Sequence, residues 1–215
     1  MTTELFDVSL NRYAEQMSSD QLPVLAALER ETHMRHTQSV MISGNLQGQL
    51  LQLISHLCRP RRVLEIGTYT GYSALCLAQG LTDDGVLHTV EMDDEKCEIV
   101  EKYIAEAGME GKIVTHFGDA RQIVRELDES WDIVFIDADK PSYGLYFDLV
   151  IEKMKSGGII IADNVLFEGK VLLPEEKQGK NEKAMHLFNQ KLKNDDRVAQ
   201  VMLPIRDGIS VIRKL

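Results

Sequence analysis

Two short stretches carry side chains of the types that bind metal ions. Phe135-Ile136-Asp137-Ala138-Asp139-Lys140 follows one apolar run, and Asp163-Asn164 follows another. Ligands of an open α/β sheet bind beyond the carboxyl ends of its strands, so Asp137, Asp163 and Asn164 are expected to converge on one crevice. Two carboxylates and an amide oxygen suit Mg²⁺, Mn²⁺ or Ca²⁺ rather than zinc, which prefers His and Cys. Alone, each stretch is more typical of a helix cap or a turn, whereas the two together favour a metal site.

A glycine-containing loop is the second candidate binding element. The apolar run Val63–Ile66 is typical of a buried strand, Gly67 and Gly71 punctuate a loop, and a helical segment follows. Such a loop lets the backbone approach a nucleotide-like ligand, and the next helix offers free N–H groups. The G-x-x-x-G spacing differs from that of dinucleotide sites, and there is no P-loop. Glu91, at the end of the next apolar run, suits a ribose with both hydroxyls free. The pattern resembles the S-adenosylmethionine (SAM) site of class I methyltransferases; the alternative is a βαβ turn without a ligand.

The elements that must position these residues alternate along the chain. Strand-like runs at Val63–Ile66, Val86–Val90, Lys112–His116, Ile133–Ile136 and Gly158–Ala162 alternate with helical segments at Tyr72–Gln79, Glu95–Ala107, Ala120–Leu127 and Tyr143–Met154. This alternation predicts a parallel sheet with right-handed crossovers. After a loop with Gly169 and Pro174, the sequence predicts a helix at about 181–193 and a closing hairpin formed by 198–203 and 209–212.

The first 57 residues are predicted to form a helical cap on an α/β core of residues 58–215, all in a single domain. Residues 22–32 and 49–57 have helical periodicity, and the intervening stretch from Met41 to Gly48 is predicted to be a turn. The expected fold class is α/β, Rossmann-like, with a seven-stranded mixed sheet that ends in an antiparallel hairpin.

Composition places the chain among globular proteins of the cytoplasm. It has 215 residues, of which 44% are hydrophobic and 27% charged, with no apolar run long enough to cross a membrane and no signal-peptide pattern. The cysteines Cys58, Cys76 and Cys97 form no C-x-x-C motif, so buried, reduced thiols are expected. The net charge of −10 argues against charge-driven nucleic-acid binding. The basic clusters Arg59, Arg61, Arg62 and Lys177, Lys180, Lys183 are interpreted as solvated surface.

Taken together, the motifs resemble those of the cation-dependent O-methyltransferases, the group that contains caffeoyl-CoA O-methyltransferases and catechol O-methyltransferase. The resemblance extends from about Leu25 to Leu215. Its motifs are Met41-Ile-Ser43, Gly48-Gln49, Leu64-Glu-Ile-Gly-Thr-Tyr-Thr-Gly-Tyr-Ser73, Gly118-Asp-Ala120, Phe135–Lys140 with Tyr143 and Tyr146, Asp163-Asn164 with Gly169, and Leu203-Pro with Asp207-Gly208.

The resemblance assigns roles to matching positions. It implies that a divalent cation, with Mg²⁺ favoured, is bound by Asp137, Asp163 and Asn164. The implied SAM-binding residues are Ser43, Glu65, Gly67, Thr68, Ser73, Glu91, Asp119, Ala120 and Asp137. Lys140 matches the lysine regarded as the general base, so Lys140 and Asp137 are the expected catalytic residues. A chelated ion would lower the pKa of a phenol and orient it for direct methyl transfer from the SAM sulfonium.

The methyl acceptor is expected to be a catechol or another small vicinal phenol. The segment after Asn164 lacks the arginine-rich stretch with which plant caffeoyl-CoA enzymes hold coenzyme A. The alternative acceptor is a hydroxylated uridine in tRNA, which some bacterial relatives methylate. A nicotinamide oxidoreductase and a non-catalytic SAM-binding module are less favoured, because the dinucleotide motif is missing and the metal and lysine positions are intact. Family members commonly form homodimers, so a homodimer is expected here.

Overall fold

The computed structural model describes residues 8–215. The helices are α1 (Val8–Met17), α2 (Pro23–Arg35), α3 (Gly44–Cys58), α4 (Tyr72–Ala78), α5 (Cys97–Glu106), α6 (Ala120–Glu126), α7 (Tyr143–Ile151) and α8 (Lys180–Lys193). The strands are β1 (Arg62–Ile66), β2 (Val86–Glu91), β3 (Ile113–Phe117), β4 (Trp131–Ile136), β5 (Met154–Asp163), β6 (Val198–Leu203) and β7 (Ile209–Lys214). Residues 1–7 of the predicted cap lie outside the described residues.

The seven strands form one mixed sheet in the order β3-β2-β1-β4-β5-β7-β6. Strands β1 to β5 are parallel to one another, and β7 runs antiparallel to both β5 and β6. The predicted fold class and closing hairpin are therefore confirmed. The direction of winding changes between β1 and β4, which is where an open α/β sheet leaves a crevice for a ligand.

Two apolar clusters cover the two faces of the sheet. Residues of α2 to α5 pack on one face and residues of α6 to α8 on the other, so the central strands are buried on both sides. This double burial explains why β1 and β4 are nearly continuous apolar runs. Trp131, at the start of β4, is fully buried.

The predicted turn at 41–48 is wrong in its second half, because α3 begins at Gly44. Gly44, Asn45 and Gly48 have low helix propensity, which is what suggested a turn. Gly48 is instead required by packing, since a Cβ there would lie 2.9 Å from a ring carbon of Tyr72 in α4. Tertiary contact between α3 and α4 therefore outweighs local propensity.

Other boundaries move by a few residues. β5 starts at Met154, where the sequence predicts the end of a helix, and α7 ends at Ile151. The cysteines are free, but the prediction that all are buried is wrong: Cys58 is exposed at the end of α3 and Cys97 is partly exposed at the start of α5. Only Cys76 of α4 packs inside the apolar cluster. Within residues 8–215, none of the helices combines the length and the apolar character needed to cross a bilayer.

Candidate active site

A cavity of about 850 Å³ opens at the carboxyl ends of β1, β2, β4 and β5. Its volume is in the range of small-molecule sites. Of the residues with a predicted catalytic, SAM-binding or metal-binding role, those that line it are Gly67, Glu91, Ala120, Asp137, Lys140, Asp163 and Asn164. The two candidate elements, the glycine loop and the acidic strand ends, thus share one cavity.

The three oxygen-bearing residues converge as the sheet topology predicts. Asp137 directly follows β4, Asp163 is the last residue of β5, and Asn164 follows it with a left-handed φ of 55°. Asp163 is only 4% exposed, and its Oδ2 accepts a hydrogen bond of 2.7 Å from Gln47 Nε2. Burial raises the pKa of Asp163 to about 7, and the nearby charge of Asp137 acts in the same direction. These two carboxylates place negative charge at one end of the cavity.

The donor set fits a hard divalent cation. Two carboxylates and one amide oxygen face a common space, and a cation between them would offset the repulsion between Asp137 and Asp163. Within residues 8–215, no group of three or more His, Cys, Asp and Glu side chains is arranged as a metal site. The proposed set contains only two side chains of those types, and its third oxygen would come from Asn164.

Lys140 is held at the same end of the cavity by two acceptors. Its Nζ donates to Asp137 Oδ1 over 2.9 Å and to the Tyr143 hydroxyl over 2.7 Å. The Tyr143 hydroxyl in turn donates to the backbone oxygen of Asp163 over 3.1 Å, which connects the lysine to both acidic strand ends. Tyr143 is fully buried, and burial raises its pKa well above the ordinary value. It therefore holds the lysine amine in place as a neutral phenol.

The glycine loop forms the other side of the cavity. Gly67 has a φ of 101°, and a Cβ on it would lie 2.0 Å from the backbone oxygen of Asp137. Only glycine allows the loop after β1 to approach the loop after β4 so closely. Glu91 accepts hydrogen bonds from the backbone N–H groups of Tyr69 (2.7 Å) and Asp93 (3.0 Å). Each carboxylate oxygen keeps accepting capacity, so Glu91 can also accept from hydroxyl groups in the cavity.

The other expected SAM contacts lie outside the cavity wall. Ser43, Glu65, Thr68 and Ser73 are all at most 6% exposed and lie behind the loop or at the start of α3. The Asp119 carboxylate turns away to cap α6 and pair with Arg121 at 2.6 Å, while the neighbouring Ala120 lines the cavity. Of the nine predicted SAM-binding residues, Gly67, Glu91, Ala120 and Asp137 therefore line the cavity, and the other five do not.

Glu65 is the most unusual of the buried residues. Its Oε2 accepts from Thr89 Oγ1, whose hydroxyl also contacts Thr68, while Oε1 has no partner among the described residues. Complete burial raises the pKa of Glu65 to about 8. Glu65 therefore lies beneath the glycine loop as a buried acid with one hydrogen-bonded oxygen.

Three residues that complete the site were assigned no role from the sequence. Gln47 of α3 is fully buried against Asp163, and Arg206 and Asp207 of the turn between β6 and β7 line the cavity. Asp207 Oδ1 accepts from the backbone N–H of Glu168. For Asp207, the sequence did contain a signal, because the Asp207-Gly208 pair is one of the motifs of the family resemblance. Gln47 and Arg206 reach the site only through contacts across more than 100 residues of chain.

Comparisons with known proteins find O-methyltransferases. A family model described as O-methyltransferase matches residues 15–215. The caffeoyl-CoA O-methyltransferase of Stellaria longipes is 35% identical over 196 residues, which cover 86% of this chain and 81% of that protein. The catechol O-methyltransferase of Niastella koreensis is 34% identical over 176 residues, with 80% and 79% covered. The crystal structure of O-methyltransferase TomG of Streptomyces achromogenes in complex with SAM has a TM-score of 0.87 and 27% identity, with 100% of this chain and 99% of TomG covered.

Proposed function

We propose a specific reaction for this chain, which belongs to the O-methyltransferase family and is a SAM-dependent O-methyltransferase. The proposed reaction transfers the methyl group of SAM to one hydroxyl of a catechol-like phenol, with the help of a divalent cation. The observation that carries the proposal is the convergence of Asp137, Asp163 and Asn164 with Gly67 and Glu91 on one cavity. The metal-type oxygens and the SAM-type loop would hold the two reactants side by side.

The loop side of the cavity is proposed to bind SAM. Glu91 would accept hydrogen bonds from the ribose hydroxyls, and Ala120, at the start of α6, would contact the adenine. Ser43, Glu65, Thr68, Ser73 and Asp119 would support this side from behind. A similar fold in TomG is described with SAM bound, which supports this placement.

The acidic side is proposed to bind the acceptor. A cation held by Asp137, Asp163 and Asn164 would lower the pKa of a vicinal phenol and fix the orientation of its oxygens. A neutral Lys140 amine has two N–H groups, which Asp137 and Tyr143 would accept, and its lone pair would take the phenol proton. The phenolate oxygen then forms a bond to the methyl carbon as the carbon–sulfur bond breaks, which leaves S-adenosylhomocysteine. Holding both reactants in line supplies much of the rate enhancement.

A small phenol is better supported as acceptor than a hydroxyuridine of tRNA. Two of the three arginines around the start of β1 form ion pairs, Arg61 with Asp84 and Arg62 with Glu129 at 3.0 Å. Lys183 of the later cluster pairs with Glu175 at 2.6 Å. These ion pairs reduce the positive surface that phosphate groups would need.

Methyl transfer from labelled SAM tests the proposal. The assay uses Mg²⁺ or Mn²⁺, with and without chelator, and offers a catechol panel and, separately, bulk tRNA from a methylation-deficient strain. Metal-dependent labelling of catechols alone is expected, and Asp163→Ala is expected to abolish it with little change in SAM affinity. Full activity of Asp163→Ala in excess chelator would refute the metal assignment. Labelling of tRNA at a much lower concentration than that needed for catechols would indicate that the protein modifies RNA.

Self-association and a cytoplasmic location are part of the same proposal. Leu53 and Leu57 on α3, and Tyr13 and Met17 on α1, are apolar side chains that are more than half exposed. A second copy would remove this surface from water, as expected for a homodimer. Sedimentation at several concentrations tests this, and a monomer at all concentrations would contradict it.

A further inference from the structure

Arg206 stands out among the cations that line the cavity. It lies in the turn between β6 and β7, and it has a left-handed φ of 51° although it is not glycine. Its Nη1 donates to Gln47 Oε1 over 3.2 Å. In residues 8–215, no carboxylate lies within 4.0 Å of its charged nitrogens. Such a backbone conformation is often retained at functional sites.

The other lysines and arginines of the cavity wall are already paired with acids. The pairs are Lys96 with Asp93 at 2.8 Å, Arg121 with Asp119 at 2.6 Å, and Lys140 with Asp137 at 2.9 Å. Arg206 therefore keeps most of its donors for a group that enters the cavity.

The turn that carries Arg206 is fixed in place. The backbone N–H of Val165 donates to Gly208 O (3.1 Å), and that of Leu166 donates to Asp207 O (3.0 Å). A Cβ on Gly208 would lie 2.5 Å from Leu166 Cγ, so the two loops are in close contact. The arginine is thus presented by backbone that is tied to the segment directly after Asp163 and Asn164.

Arg206 also lies near the acidic side of the cavity, where the methyl acceptor is proposed to bind. Gln47 bridges the two, because its Oε1 accepts from Arg206 and its Nε2 donates to Asp163. One amide group and two hydrogen bonds therefore separate the guanidinium from the Asp163 carboxylate.

We propose that Arg206 binds the carboxylate of the methyl acceptor, so that the preferred substrates are catechols that carry an acidic side group. The inference rests on the proposed function, in which the vicinal oxygens lie at Asp137, Asp163 and Asn164. A guanidinium presents paired N–H donors that match a carboxylate. Without Arg206, an acidic substrate would face a wall rich in carboxylates, including Glu168 and Asp207. Among the described residues of that wall, every other lysine and arginine is paired with an acid.

A carboxylate could also come from the methionine portion of SAM. The two sources are separated by measuring SAM affinity directly, because a contact with SAM would weaken SAM binding in an Arg206 variant and would affect all acceptors equally. A contact with the acceptor would affect only acceptors that carry the acid.

The experiment compares 3,4-dihydroxybenzoate with its neutral amide, 3,4-dihydroxybenzamide. Dissociation constants for both are measured on the full chain with S-adenosylhomocysteine and Mg²⁺, and kcat/KM is measured with SAM. The variants are Arg206→Gln, Arg206→Lys and, as a matched control, Arg121→Gln, which removes a cavity arginine that already has an acid partner.

Wild-type protein is expected to prefer the acid. Arg206→Gln should lower the acid-to-amide ratio of affinity, and of kcat/KM, about tenfold to a hundredfold, which is the usual effect of losing a hydrogen bond between charged groups. Arg206→Lys should restore part of that ratio, and Arg121→Gln should change it by less than twofold. An unchanged ratio in Arg206→Gln, or an equal loss for both probes that follows weaker SAM binding, overturns the proposal. Arg206-dependent binding of the acid without any methylation would instead refute the proposed function and leave the carboxylate site in place.

Discussion

Gln47 Nε2 donates a hydrogen bond of 2.7 Å to Asp163 Oδ2, and the two residues are 116 positions apart in the chain. The N-terminal helices thus contribute to the acidic end of the cavity as well as covering the sheet. The bond holds one oxygen of a buried carboxylate and leaves the other end of the amide to Arg206.

Gln47→Leu is expected to weaken metal binding about tenfold to a hundredfold, because groups that orient a metal-binding carboxylate typically contribute that much. Calorimetric titration with Mn²⁺ measures the change directly. Gln52→Leu, on the same helix but bonded to Cys76 Sγ at 3.7 Å, is the matched control and should bind Mn²⁺ as the wild type does. Equal Mn²⁺ affinity in Gln47→Leu and wild type would show that Gln47 has no orienting role.

Lys140→Met is expected to lower kcat about 10²-fold to 10⁴-fold, the usual contribution of a general base. Tyr143→Phe should have a smaller effect, because it keeps the amine and its 2.9 Å contact with Asp137. The measurement is kcat as a function of pH with a saturating catechol. If Lys140→Met retains the wild-type pH–rate profile, the base is another group.

Glu65→Gln is expected to stabilise the ligand-free protein increasingly as pH rises from about 4.5 to about 8. The pKa of Glu65 is raised from 4.5 to about 8 in the folded protein, so the unfolded chain ionises first and stability falls through that interval. Glutamine cannot ionise, so the free energy of unfolding of the variant should gain up to roughly 1.4 kcal/mol per pH unit relative to wild type. Urea unfolding at three pH values measures it, with exposed Glu126→Gln as control. A pH-independent difference between Glu65→Gln and wild type would contradict the raised pKa.

Gly67→Ala is expected to displace the loop after β1 and to reduce SAM affinity and activity about 100-fold, because a Cβ would lie 2.0 Å from Asp137 O. Gly144→Ala is the control, since a Cβ there meets nothing within 4 Å and the residue lies inside α7. It should stabilise the fold by about 0.5–1 kcal/mol without harming SAM binding. Calorimetry with SAM and thermal unfolding separate the two effects, and normal SAM affinity in Gly67→Ala would disprove the need for glycine.

The sequence predicts most of the fold because burial leaves a local signal. Apolar runs such as Ile133–Ile136 predict the strands. Because Asp137 and Asp163 lie at the carboxyl ends of parallel strands, their common edge of the sheet can be predicted without information on side-chain contacts. The start of α3 could not be predicted, because the packing of Gly48 against Tyr72 is a long-range contact.

The contacts of the residues that support the site could not be predicted from the sequence either. The family resemblance implies that Glu65 binds SAM, but the sequence does not show that its side chain is completely buried. Gln47 and Arg206 belong to no local motif, and their positions depend on how α3 and the last hairpin meet at the cavity. Patterns along the chain identify groups that strands present, but not groups that neighbouring elements supply.

The order of the strands also has a consequence for the biosynthesis of the protein. Strand β7 lies between β5 and β6 in the sheet. The turn before β7 accepts backbone hydrogen bonds from the segment that follows Asn164. Translation proceeds from the N-terminus, so the glycine loop, Asp137 and Asp163 leave the ribosome before the turn and β7, which hold the acidic loop in position. A nascent chain in which β7 has not yet been made would expose an unpaired edge of β5 and an unsupported acidic loop. We therefore expect the acidic end of the cavity to take its final shape only after residues 204–214 have been synthesised.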